Sequence, residues 1–320
     1  MKCFLAGGSG MLGRAIIRIN ENTINPISIK ANSYTQKWDR GNSHATEYIQ
    51  ADLSKMTDAS LFEDCDTLIM SAAITGGIIM NNKSPEDQTN GNLKLMINLL
   101  SLLKKSKIRK VIFISSATVY QDSENPLAED DLDLNLSPPS SVYGVGWTFR
   151  YIEKLIQFWG HKLSISATIL RAGNIFGPHD KFHPDRSNFI PALVRKCVSK
   201  EDPLLIFGPK DTTRDIIFCD DLAKLVLKCV EKETLPFNVF NASWGSGITI
   251  ENVLHKILII TKHSPEKLEW KESIYASAYK RVLDCSKIKS TFRWGRDFST
   301  DEALKITIDW WEKNKLSWTR

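Results

Sequence analysis

Short apolar runs alternate along this chain with longer stretches whose apolar positions recur at helical spacing. KCFLAG reads as a strand and GMLGRAIIRINE as the helix after it. PISIKA, EYIQAD and CDTLIMSAA read as three further strands. NGNLKLMINLLSLLKKS carries Leu93, Met96, Ile97 and Leu100 at helical spacing. RKVIFISSA follows as a strand, then a helix from about Tyr143 to Trp159, then SISATILRAG. Strands buried on both faces read as continuous apolar runs, and βαβ alternation places helices on both sides of a parallel sheet. The expected fold is α/β, a Rossmann-like doubly wound parallel sheet with a smaller C-terminal lobe.

After about Gly177 the pattern loosens. GPHDKFHPDRSNFIPALVRK is rich in Pro, His and Asp. RDIIFCDDLAKLVLKCV looks like a return to the larger domain. The expected division is therefore residues 1–177 with a return segment at about 212–232, and a lobe of 178–211 plus 233–320. Near the end, Ser299 followed three residues later by Glu302 forms a capping box for a last helix.

Composition narrows the classes. The chain has 320 residues, 42% hydrophobic and 25% charged, as a soluble globular protein would. A formal charge of +5 is too mild to argue for nucleic acid, yet it favours a small anion such as a nucleoside diphosphate. No apolar run reaches the roughly 18 residues of a membrane span. The six cysteines lack CxxC spacing and are expected to be buried free thiols in a reducing cytoplasm.

AGGSGMLG places Gly7, Gly10 and Gly13 between the first strand and the first helix, with Ser9, Met11 and Leu12 among them. Gly7 permits a tight turn, Gly10 lets backbone approach a pyrophosphate, and Gly13 lets the helix pack closely on the sheet. Dinucleotide binding is the expectation. An acid ending the second strand would read the adenosine ribose of NAD, and ISIKANS has none. It offers Lys30, with Arg40 further on, which suits the 2′-phosphate of NADP; a solvated lysine, and NAD, remain the alternative. ADLS places Asp52, beside Leu53, where it could accept from the adenine amino group.

GGSGMLG, SSATVY and YGVGW together resemble the extended short-chain dehydrogenase/reductase family, and within it the nucleotide-sugar epimerases and reductases of the GDP-L-fucose synthase group. AAITGGIIMNNKSPEDQTNGN, with Gly76, Gly77, Asn81 and Asn82, is similar to that group after its fourth strand. NIFGPHDKFHPDRSNFIPALVRK, TTRDIIFCDDLA and the C-terminal LDCSKIKSTFRWGRDFSTDEALKITIDWW extend the resemblance over nearly the whole chain. It implies an NADP-dependent enzyme, NAD being possible, acting on a nucleotide-diphosphate sugar bound by the smaller lobe. Ser116 matches the serine that hydrogen-bonds the reacting sugar oxygen, and Tyr143 the tyrosine that exchanges a proton with it. Ala72 and Ala73 would line the cofactor, and Asn174 and Ile175 would stand beside nicotinamide and nucleotide. Arg195, Lys196, Arg214 and, more weakly, Arg281 would contact the substrate. His179 and His183 belong to the matched loop rather than to a zinc site.

Three positions depart from the group. Trp147 stands where the family has a lysine that lowers the tyrosine pKa. Asn188 stands where the group has its epimerisation histidine, and Thr118 where it has the partner cysteine. A phenol with no cation beside it is a poor base near neutrality but can still give up a proton to a carbonyl. The resemblance thus implies a nucleotide-sugar oxidoreductase with little or no epimerase activity. The alternatives are an epimerase with a rearranged proton relay and a cofactor-binding protein without effective catalysis. Arg150 shares a helical stripe with Tyr143 and Trp147. It would either partly replace the lysine charge or point into solvent. The helices around 93–104 and 147–159 carry more apolar residues than one core-facing stripe needs, and a homodimer is expected through them.

Overall fold

The computed structural model describes residues 1–34, 43–77, 80, 83–232, 236–271 and 280–318. Arg40, Asn81 and Asn82 lie outside the described residues. Seven parallel strands form the main sheet. In chain order they are β1 (Lys2–Ala6), β2 (Ser28–Ser33), β3 (Thr46–Gln50), β4 (Thr67–Met70), β5 (Lys110–Ser116), β6 (Ser166–Ala172) and, later, β10 (Phe237–Ala242). The spatial order is β10-β6-β5-β4-β1-β2-β3. The order reverses between β1 and β4, and in such sheets the crevice outside the carboxyl ends at that point takes the ligand.

Helices cover both faces. On one, α1 (Met11–Glu21) buries Leu12, Ala15 and Ile16 and packs against α5 (Cys219–Glu231). On the other, α2 (Pro85–Leu102) packs against α3 (Tyr143–Leu163). Pro85 suits the first turn of α2, where its missing N–H would have no helical partner anyway.

The smaller lobe holds the remaining elements. β7 (Asn174–Phe176), β9 (Thr213–Phe218), β11 (Gly247–Thr249) and β13 (Lys280–Arg281) form a second sheet. β8 (Leu204–Phe207) pairs with β12 (Leu268–Lys271). The helices are α4 (Phe189–Val198), α6 (Ile250–Thr261), α7 (Ser286–Phe292) and α8 (Thr300–Asn314). Ser299 and Glu302 cap α8 reciprocally, as their spacing suggests. All six cysteines are buried and unpaired.

The expected return segment of about 212–232 does not match the main sheet: β9 pairs in the second sheet, and only α5 of that segment packs on the large domain. β10 comes from the stretch expected in the smaller lobe, yet it pairs with β6 along its length and ends the main sheet. FNVFNA is a single short run with no helical pattern after it, so nothing local tied it to the large domain. Its partner β6 does.

Candidate active site

One cavity of about 1430 Å³ opens across the carboxyl ends of the strands and into the smaller lobe. Pockets for a single drug-sized ligand run to about 1,000 Å³, so the space suits two ligands side by side. At one end, Gly7, Ser9, Gly10, Met11, Leu12 and Gly13 all stand on the wall. Gly7 has φ +88, and a Cβ there would lie 2.7 Å from the Ala72 backbone. A Cβ on Gly13 would come within 2.2 Å of the Gly7 carbonyl oxygen. Only glycine allows this closeness of α1 to the turn. Gly10, the residue before α1, makes no side-chain cap, and the helix amino terminus on this wall would favour an anion.

Asn32, Tyr34, Ala51, Asp52 and Leu53 form the next section of wall. Ser54 donates to Asp52 Oδ1 through its hydroxyl (2.7 Å) and its amide (3.0 Å), and these bonds hold the carboxyl below its ordinary range. Lys30 is not on this wall. Its ammonium bonds Asp64 at 2.8 Å and lies 3.8 Å from Glu47, at the amino-terminal edge of the sheet. It is two residues short of Asn32, and a strand advances roughly 3.3 Å per residue. Its side chain then reaches away from the cavity toward two carboxylates. The 2′-phosphate role expected of Lys30 has no geometric basis.

Further along the cavity, Ser116 closes β5 and Thr118 sits in the tight turn after it. The amide and hydroxyl of Thr118 both donate to Ser116 Oγ, at 3.2 and 3.0 Å. Both residues stand on the wall, as do Ala72, Ala73, Asn174 and Ile175. From α3 and the turn before it, the wall residues are Ser141, Val142, Val145 and Phe149. Tyr143, the first residue of α3, is not among them; it is 53% exposed, with its ring centroid 6.4 Å from that of Trp147. Arg150 is 2% exposed, so the solvent-pointing alternative is overturned. Its Nε donates to Val119 O and its Nη1 to Leu136 O, both at 2.6 Å. Its guanidinium carbon lies 4.6 Å from the centroid of Trp147. Arg150, one turn beyond Trp147, is thus held by backbone carbonyls against the Trp147 indole.

The smaller lobe contributes the cations. Asn188 precedes the first turn of α4, and Arg195 and Lys196 lie in its last turn. Arg195 pairs with Glu201 at 3.1 Å, and Lys196 donates to Leu205 O at 2.5 Å. Burial lowers the Lys196 pKa. Arg214 on β9 and Arg281 on β13 face each other in register. Burial, and then the neighbouring Arg281, pull the Arg214 pKa down to about 9. Burial lowers that of Arg281 too, and Asp122 only partly opposes it. Arg281 Nη2 is buried with no hydrogen-bond partner among the described residues. All five side chains line the cavity. Two desolvated guanidiniums side by side repel each other, and Asp122 offsets this only in part, so a bound anion would be favoured beside them.

Several wall residues were not singled out from sequence as ligand contacts. They include Asn32, Tyr34, Lys94, His179, Asp180, Lys181 and Arg186. The glycine pair after β4 closes the roof: a Cβ on Gly77 would lie 2.1 Å from Ser187 O. His183 is not on the wall; its Nδ1 accepts from the Asp185 amide. Beneath the site, Ser115 donates to Glu153 at 2.5 Å, and Glu153 pairs with Arg171 at 2.9 Å. Arg171 also donates to the Tyr120 hydroxyl. These residues are far apart in sequence, so no spacing could have announced the network.

Comparison with known proteins adds the following. The model of the NAD dependent epimerase/dehydratase family matches residues 3–243. The chain is 26% identical to a protein named probable GDP-L-fucose synthase 1 of Oryza sativa, covering 99% of this chain and 93% of that one. It is 23% identical to GDP-L-fucose synthase of Escherichia coli, covering 98% and 97%. It is 24% identical to a UDP-glucuronate 4-epimerase of Thermodesulfobacterium geofontis, covering 94% and 90%. Among solved structures, a UDP-glucuronic acid 4-epimerase from Bacillus cereus with UDP-glucuronic acid and NAD superposes at TM-score 0.84, at 20% identity, covering 98% and 99%. The likeness to that structure is one of fold.

Proposed function

From the premise that this chain belongs to the NAD dependent epimerase/dehydratase family, we propose that it is an NAD(P)-dependent oxidoreductase acting on a nucleotide-diphosphate sugar. One observation carries the reading. The glycine cradle, the Ser116–Thr118 pair and the desolvated Arg214–Arg281 pair share one cavity sized for two ligands. The cradle at Gly7, Gly10 and Gly13 fits a dinucleotide pyrophosphate, because backbone packs where a side chain would stand and the turn lies close against the start of α1. When bound, that cofactor gives or takes the hydride. The two arginines hold the sugar-nucleotide diphosphate, with Arg195 and Lys196 adding charge beside it. Ser116, already accepting from Thr118, turns its hydroxyl hydrogen toward the sugar oxygen. Tyr143 supplies the proton.

For the cofactor, Asn32 favours NAD. Its amide nitrogen donates to Ala51 O (2.9 Å) and Ser33 O (3.1 Å), which leaves its oxygen to accept from a ribose hydroxyl. An acceptor suits a 2′-hydroxyl and opposes a 2′-phosphate. Asn188 and Thr118 carry no group that titrates near neutrality, which supports a reductase over an epimerase. The exposed position of Tyr143 favours a second reading, cofactor binding with feeble turnover. A dimer through α2 and α3 is supported by Ile97, Tyr151 and Phe158, each about half exposed. No helix among the described residues is long and apolar enough to cross a membrane, and the buried thiols suit a reducing cytoplasm.

The test is cofactor oxidation and reduction with a panel of GDP and UDP sugars, run in deuterated water. Turnover that Tyr143→Phe and Ser116→Ala each reduce at least tenfold supports the reductase. Deuterium at a sugar carbon supports an epimerase. Binding of NADH without turnover supports the second reading.

A further inference from the structure

The C-terminal end of the chain reaches back to the cavity. Beyond α8, Trp318 donates its indole N–H to Asp180 O at 2.9 Å. Its ring meets Trp310 edge-on at 5.0 Å and the His179 ring at 5.3 Å. On another side, the guanidinium of Arg14 lies 5.9 Å from the Trp318 centroid. Arg14 sits on α1 directly after Gly13, and its Nε donates to Ser9 O at 3.1 Å. Ser9, His179 and Asp180 are all wall residues. One indole therefore touches a brace of the glycine loop and the backbone of the segment facing the sugar side.

His179 adds a reason why that segment needs holding. Its backbone has φ +67, a left-handed conformation that costs a non-glycine residue energy unless its surroundings impose it. The ring packs between Trp310, at 4.5 Å, and Trp318. The segment's conformation thus depends on aromatic packing supplied by the end of the chain.

We infer that Trp318 is a positioning residue that couples the two halves of the cavity, so that ordering the glycine loop around a dinucleotide also orders the His179–Asp180 segment for the second ligand. This rests on the site reading above. Binding free energies are reciprocal, so the second ligand must then tighten the first by the same factor. A residue that only stabilised the fold would alter melting without touching that factor.

The experiment uses the full chain. NADH and NADPH are each titrated by fluorescence, with and without saturating UDP or GDP. In the native protein the nucleotide is expected to tighten cofactor binding about fivefold, the lower end of ordinary couplings. Trp318→Ala should bring the factor close to one, and Trp318→Phe, which keeps a ring but loses the N–H, should fall between. Should Trp318→Ala not fold, Arg14→Met is measured instead; it keeps the aliphatic stem and removes the cation over the indole. An unchanged factor in the folded variant overturns the coupling. So does a native protein that binds both ligands independently. A native protein that binds no dinucleotide, UDP or GDP refutes the site reading itself, and the coupling with it.

Discussion

Restoring the family lysine by Trp147→Lys should not by itself restore a fast enzyme. The indole and the buried guanidinium of Arg150 are stacked 4.6 Å apart. A lysine in the place of the ring sets a second cation beside one that is 2% exposed. At an effective dielectric of about 20, two unit charges at that separation repel by roughly 3.6 kcal/mol. Trp147 is half-buried, so solvent and side-chain movement will reduce this; about 2–3 kcal/mol is expected. The lost cation–π contact adds about 1 kcal/mol. Removing Arg150 as well should recover most of the repulsion and leave the carbonyls of Val119 and Leu136 to water. The assay is a double-mutant cycle of Trp147→Lys and Arg150→Ala, read by urea denaturation and by turnover. The prediction is a coupling of about 2 kcal/mol or more between the sites, with turnover rising in the double variant and not in Trp147→Lys alone. If Trp147→Lys is as stable as the native chain, and coupling is below about 0.5 kcal/mol, the stacked geometry does not govern this position.

Other expectations follow from the same site. Arg214→Met should weaken UDP or GDP binding by about ten- to a hundredfold, since it removes one of two desolvated cations, and calorimetric titration reads it. With its pKa depressed to about 9, Arg214 binds fewer protons folded than unfolded; stability should therefore gain as pH rises through about 9 toward the unfolded value, while nucleotide affinity falls over the same rise. Gly13→Ala should abolish dinucleotide binding, measured by NADH fluorescence, because its Cβ would lie 2.2 Å from the Gly7 oxygen. Phe158→Asp should yield a monomer by light scattering if α2 and α3 form the dimer face.

What could be read from the residues alone was local. The glycine loop is a strand, a turn and a helix start within a dozen positions, and its role follows from backbone crowding that any such turn imposes. Alternation of apolar runs likewise implies the parallel sheet, since each strand buried on both faces must show it. Lys30 could not be judged that way, because its value depends on which edge of the sheet it faces and on Asp64, in the turn before β4, and Glu47, on β3. Arg281 meets Arg214 only through register with a strand far earlier in the chain. Sequence alone left Arg150 either as a partial substitute for the lysine charge or as a solvated charge on a helix; its burial comes with the carbonyls of Val119 and Leu136, which a separate segment brings to it. Spacing along a chain determines what a segment can become. Which charges lose water, and against which partners, depends on contacts between distant segments, and only the packed structure decides it.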